Sequence, residues 1–136
     1  MAHLFEVINS NFFSVLSSPN KNTYIDCIFI IYNSIDTTED AFLGDIEYII
    51  QRLIDYFDET PSEEFSDVEA DEPARTSRQK AVHVINVLKK CGWLGEEELG
   101  DYKTSLNLFD YSIQVIDTLE RIKDHRQSEY TGEIFT

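Results

Sequence analysis

Between residues 75 and 91 the chain carries Arg75, Arg78, Lys80, Lys89 and Lys90 and not one acidic side chain. On a helical wheel Arg75, Gln79, His83, Asn86 and Lys90 project opposite an apolar stripe of Ala81, Val84, Ile85 and Leu88. That stripe has the i, i+3, i+4, i+7 spacing which stacks side chains on one helix face. Arginine, glutamine and asparagine can bond base edges, and lysine and arginine neutralise phosphates, so the chemistry open to the polar face is contact with nucleic acid. Arg75, Arg78, Gln79, His83, Asn86 and Lys90 are the candidate DNA-contacting residues. A surface helix makes its outward face polar whatever it binds, however, and Glu96, Glu97 and Glu98 follow where a DNA-binding wing usually carries positive charge. Contact through this helix is therefore expected to be weak.

A second group is chemically plain but dense. Leu4, Phe5, Ile8, Phe12 and Phe13 put a large apolar load near a chain end, in a short helix interrupted around Asn9-Ser10-Asn11. It packs back on the core or serves a partner, and Phe5, Ile8, Phe12 and Phe13 are the candidate dimer interface. Other reactive residues point nowhere in particular. His3, His83 and His125 are scattered, and Cys27 and Cys91 lie on apolar stripes away from any metal-ligand spacing, as buried thiols do. The many carboxylates fall in a solvated run, and the chain has no glycine-rich phosphate loop, no G-x-S-x-G elbow and no Cys-His arrangement. No catalytic, cofactor-binding or metal-binding residue is expected.

The elements that position these groups follow from periodicity. The basic helix runs into Gly92-Trp93-Leu94, with Gly92 suited to the positive φ that often ends a helix. Trp93 to Leu99 and Tyr102 to Leu108 then flank Gly100-Asp101, and Tyr102, Thr104, Leu106 and Leu108 share one side of a period-two segment. This predicts a β-hairpin. Asp110 can cap a following helix with an inward stripe of Ile113, Ile116, Leu119 and Ile122. Upstream, Ser17-Ser18-Pro19-Asn20 is a break, and Tyr24 to Tyr32 within Asn22 to Asn33 is long enough for a buried helix. Asp36-Thr37-Thr38-Glu39 has capping-box spacing before a helix carrying Leu43, Ile46, Ile49, Ile50, Leu53, Ile54 and Phe57, predicted to be the longest. Helices, then hairpin, then helix predicts a mainly α winged-helix domain: a helix-turn-helix core, a two-stranded β-hairpin wing and additional helices.

At 136 residues, 42% hydrophobic and 12% aromatic, the chain can bury one ordinary core, so residues 1–136 are expected to form a single domain. No run reaches the length of a membrane span, and the N-terminus lacks the order of a signal peptide, which predicts a soluble, cytoplasmic protein without membrane contact. The net charge of −15 disfavours a phosphate-binding surface, but it is segregated. Residues 58–73 carry Asp58, Glu59, Glu63, Glu64, Asp67, Glu69, Asp71 and Glu72 with Pro61 and Pro73 and no basic residue, and read as an acidic, flexible linker.

Phe5-Glu6-Val7-Ile8, Asn11-Phe12-Phe13 and Ser18-Pro19-Asn20 leading to Tyr24-Ile25-Asp26-Cys27 resemble the N-terminus of Wadjet JetA proteins. Gly92-Trp93-Leu94 with Glu96 to Glu98, then Asp101-Tyr102, Asn107-Leu108 and Asp110-Tyr111, resemble that family's wing and following helix, as Glu129-Tyr130-Thr131-Gly132 resemble its continuation. The resemblance spans nearly the whole chain in order, the acidic linker matching least. It implies a MukF-like kleisin subunit that bridges the ATPase heads of an SMC motor, recruits a KITE-like partner and acts on plasmid DNA through the complex. Family members are longer, so the chain is expected to be an N-terminal domain of one. The expected role is architectural: a homodimer that scaffolds the complex. The alternative is a winged-helix DNA-binding transcriptional regulator, and a hydrolase has no residues to support it.

Overall fold

The computed structural model describes residues 3–35, 43–60 and 76–132, giving the backbone alone for residues 43 and 125–132. The expected capping box at 36–39, Arg75, the His125 side chain and residues 61–73 of the acidic stretch lie outside the described residues or side chains.

The chain runs α1 (Leu4–Val7), a 3₁₀ helix (Phe12–Leu16), α2 (Lys21–Ser34), β1 (Leu43–Asp45), α3 (Ile46–Glu59), α4 (Ser77–Lys90), β2 (Leu94–Glu98), β3 (Thr104–Leu108) and α5 (Asp110–Gly132). The three strands form one antiparallel sheet in the order β1-β3-β2. Three helices in succession, a short strand between the first two and a hairpin after the third make a winged helix, as the sequence predicts. The sheet has one strand more than expected. β1 pairs Leu43 with Asn107 and Asp45 with Ser105, and at three residues it is too short to show a period.

Helix starts are set by side chains at the caps. Asp45 accepts the Glu47 amide at 3.0 Å, so α3 begins at Ile46 and leaves Leu43 in the sheet. Thr76 and Gln79 form a reciprocal capping box: the Thr76 hydroxyl accepts the Gln79 amide at 3.0 Å, and the Gln79 carboxamide accepts the Thr76 amide at 3.1 Å. At α5 the Ile113 amide donates to the Phe109 carbonyl at 3.0 Å. Phe109 therefore holds the cap position expected of Asp110, which is the first helical residue, with its carboxylate at the positive helix end. Among the described residues the longest helix is α5, at 23 residues against 14 for α3. Asp58 and Glu59 belong to α3, and Asp58 accepts the Ser77 hydroxyl, so these two close the helix instead of opening a linker.

The hairpin turn is longer than a two-residue connection. The Leu99 amide donates to the Lys103 carbonyl and the Lys103 amide to the Gly100 carbonyl, both at 2.9 Å, which puts Tyr102 in the turn and fully exposed. Asp101 at φ 52° and Tyr102 at φ 61° take left-handed backbone there. Leu106 and Leu108 face the core as expected, with Thr104 half-buried. Along α5, Ile116 is fully buried and Ile113 and Leu119 are half-buried, but Ile122 is 61% exposed, because the helix runs on past the core.

Ile49, Ile50, Leu53 and Phe57 of α3 and Ala81, Val84, Ile85 and Leu88 of α4 are buried, as are Tyr24, Cys27, Ile28 and Ile31 of α2. Trp93 sits at the junction with every polar group satisfied. Its amide donates to the Leu88 carbonyl at 2.9 Å, its indole N–H to the Phe12 carbonyl at 2.8 Å, and its carbonyl accepts the Ser112 hydroxyl at 2.9 Å. The Phe12 ring stacks on the indole at 3.9 Å between centroids and 12° between planes. Gly92, at φ 89°, makes the turn that delivers Trp93, and a Cβ there would lie 2.6 Å from Cβ of Asn9.

Two outcomes follow for stability. Phe12→Ala empties a fully buried site between the N-terminal segment and Trp93, and is expected to cost about 3–5 kcal/mol in equilibrium urea unfolding; a loss below about 1 kcal/mol would show that the segment packs loosely. Gly92→Ala should destabilise more than Gly100→Ala. Both positions have left-handed backbone, worth about 1–2 kcal/mol of strain, but a Cβ at Gly100 meets nothing within 4 Å. Equal losses in the two variants would mean that Asn9 yields freely.

Candidate functional site

The polar face of α4 is where the sequence places nucleic-acid chemistry, and the fold puts that face to several uses. Arg78 pairs with Glu47 of α3 at 3.3 Å, both side chains remaining more than half exposed. Gln79 is engaged in the capping box. Lys80 lies over the Phe57 ring, 5.8 Å from its centroid, and Lys89 pairs with Glu96 of the wing. Surface ion pairs of this kind contribute little to stability, about 0–1 kcal/mol, but the two at Arg78 and Lys89 each set a carboxylate beside a cation that a phosphate would need.

His83, Asn86 and Lys90 come together elsewhere. They form one wall of a groove of about 550 Å³ whose opposite side includes Asn11, Ser14 and Ser18 of the N-terminal segment. That segment is fixed against the end of α4 by Trp93 and by the Asn9 carboxamide, which donates to the Lys90 carbonyl at 3.2 Å. Ser14 in turn lies 3.8 Å from the Cys91 thiol. Half of the expected DNA-contacting set thus lines a groove, Arg78 and Gln79 have partners outside it, and Arg75 is undescribed.

The expected interface residues also divide. Ile8 and Phe12 are buried in the core, whereas Phe5 and Phe13 are 52% and 40% exposed, with their rings edge to face at 6.2 Å. Ile8 and Phe12, with Val15, are spent on holding the segment down, since they are the side chains that the irregular backbone turns toward the core. Leu4 and Val7, at 58% and 62% exposure, join Phe5 and Phe13 as large apolar side chains presented to solvent. Lone exposed apolar residues are ordinary, but four within ten positions are a patch.

Cys27 and Cys91 are free and buried, and burial pushes the Cys27 thiol well above its usual range. Burial likewise raises the Tyr111 phenol, which stays a neutral donor and makes a hydrogen bond to the Gly92 carbonyl at 2.9 Å. Among the described residues no group of His, Cys, Asp and Glu comes together that could hold a metal ion. No helix among them is long and apolar enough to cross a membrane.

Sequence reasoning missed the Thr76 capping box, although Thr76-Ser77-Arg78-Gln79 carries its signature. It also missed Asn11, Ser14 and Ser18, for which no local signal exists, because a groove wall is defined by what packs opposite.

Comparison with known proteins adds the family. A family model described as Wadjet protein JetA matches residues 30–136. A Wadjet protein JetA of Bacillus cereus (strain Q1) is 26% identical over 137 residues, which cover 100% of this chain and 30% of that protein. The chain therefore spans under a third of the length of this curated relative. No solved structure matches it. The family match takes in most of the chain, from within α2 through α3, α4, the wing and α5, and the chain belongs to the Wadjet JetA family.

Proposed function

We propose that the chain is a non-catalytic, kleisin-like winged-helix module that dimerises and scaffolds an SMC-type complex defending the bacterial cytoplasm against plasmid DNA. The SMC-like ATPase and KITE-like subunits would be met by the longer protein, and DNA through the complex. The observation that carries this reading is the use made of α4: two of its cations, Arg78 and Lys89, stand beside Glu47 and Glu96, and His83, Asn86 and Lys90 of its polar face wall a groove. A DNA-reading helix instead presents that face unobstructed to a major groove. Family membership supports a Wadjet-related role, and the patch of Leu4, Phe5, Val7 and Phe13 supplies a surface on which two copies can pair, each presenting the same residues to the other. The winged-helix topology itself favours the second reading, a DNA-binding regulator.

Two measurements separate the readings. By sedimentation at tens of micromolar, where a stable interface persists, the chain is expected to run as a dimer, and Phe5→Asp with Phe13→Asp to yield a folded monomer. A strictly monomeric parent would defeat dimerisation; a dimer unaffected by the paired substitution would move the interface elsewhere. In a duplex titration at physiological salt, affinity is expected no tighter than the ordinary non-specific range of about 10⁻⁴ to 10⁻⁶ M. Sub-micromolar binding lost on reversing Arg78 and Lys90 would instead establish the regulator.

A further inference from the structure

The groove between α4 and the N-terminal segment is not accounted for by dimerisation through the apolar patch. Its volume of about 550 Å³ lies within the roughly 300–1,000 Å³ of sites that hold small ligands. Its lining is unlike the rest of the molecule. The chain has 26 Asp and Glu residues against 11 Lys and Arg, yet among the described residues no carboxylate lines the groove, while Lys90 and His83 do. The floor is apolar, with buried Val15, Tyr24 and Cys91 beside half-buried Val87. The rim carries neutral polar groups, the Asn11 and Asn86 carboxamides and the Ser14 and Ser18 hydroxyls; Ser14 already donates to the Asn11 carbonyl at 2.7 Å and Ser18 accepts the Asn20 amide at 2.9 Å, which leaves Ser14 as an acceptor and Ser18 as a donor. An apolar floor, a polar rim and one exposed ammonium make a surface for a short extended segment that carries an apolar side chain next to a carboxylate.

We infer that this groove docks an acidic peptide segment of a protein partner, with an apolar side chain on the Val15–Val87 floor and a carboxylate at Lys90. Net charge does not forbid it. At physiological salt the Debye length is about 8 Å, so charges farther away than that are largely screened and the groove lining decides. A DNA duplex fits the same groove poorly. Its phosphates need several protruding cations at once, and here Lys90 stands at a recess walled by the N-terminal segment while Lys89 is paired with Glu96. The site is independent of the dimer interface proposed above, so the paired Phe5 and Phe13 substitutions should leave it working.

The test is fluorescence anisotropy on the intact chain, with a labelled hexapeptide of alternating leucine and glutamate as probe. A leucine-lysine peptide and a short labelled DNA duplex serve as comparisons. Saturable binding of the glutamate peptide is expected, weakened about tenfold or more by Lys90→Glu, which reverses a contact charge. Asn86→Trp, which fills the groove from an exposed helix position, should weaken it similarly, and unchanged melting curves would show that both variants fold. The lysine peptide should not compete. Absence of saturable glutamate-peptide binding up to about 1 mM, or binding indifferent to both substitutions, would overturn the inference. Duplex binding lost in Lys90→Glu, without peptide binding, would overturn it in favour of a nucleic-acid occupant.

Discussion

The burial of Trp93 is the constraint on which the other features turn. An indole enclosed completely must find an acceptor for its N–H, and here the acceptor is the Phe12 carbonyl, in a segment eighty-one positions away in sequence. That one bond, with the ring stacking beside it, ties the N-terminal segment to the junction of α4 and the wing. The Trp93 backbone ties the same point to α4 through Leu88 and to α5 through Ser112. Four parts of the chain therefore meet at one residue, and Gly92 is the turn that brings it there. Once the segment is seated, two consequences are geometric. Its outer side chains, Leu4, Phe5, Val7 and Phe13, are left facing solvent, and its inner edge makes α4 the wall of a groove.

The electrostatics follow the same arrangement. Basic residues that look like a DNA-binding run in sequence are distributed in space: Arg78 toward α3, Lys89 toward the wing, Lys80 over an aromatic ring and Lys90 at the groove. Each local contact is weak in energy, but Arg78 and Lys89 each have a carboxylate at hand with which a phosphate would compete. On the proposed reading, the winged-helix framework is kept while its third helix meets protein instead of reading bases.

How far the sequence reveals this depends on whether the signal is local. The buried stripes of α3 and α4 are legible because helical spacing alone marks them, and Gly92 because positive φ is a property of the residue itself. The topology is legible from the order of these elements. β1 is not, since three residues carry no period and only pairing with β3 makes them a strand. Tyr102 reads as part of an alternating strand, but the hydrogen bonds of Lys103 close the turn around it. Phe5, Ile8, Phe12 and Phe13 read as one apolar group; which two are spent on the core depends on what packs opposite them, which for Phe12 is Trp93. The groove is least legible of all, because His83, Asn86 and Lys90 carry one half of it and the other half comes from the opposite end of the chain.

The central claim is that the N-terminal segment is locked over Trp93 as part of the winged helix, and Trp93 is the only tryptophan in the chain. Its fluorescence therefore reports the lock directly. In the intact chain the emission should be blue-shifted and resist quenching by acrylamide; removing residues 1–16 should shift it to the red and make it quenchable. An indole already open to quencher in the intact chain, or one unchanged by the deletion, would contradict the account.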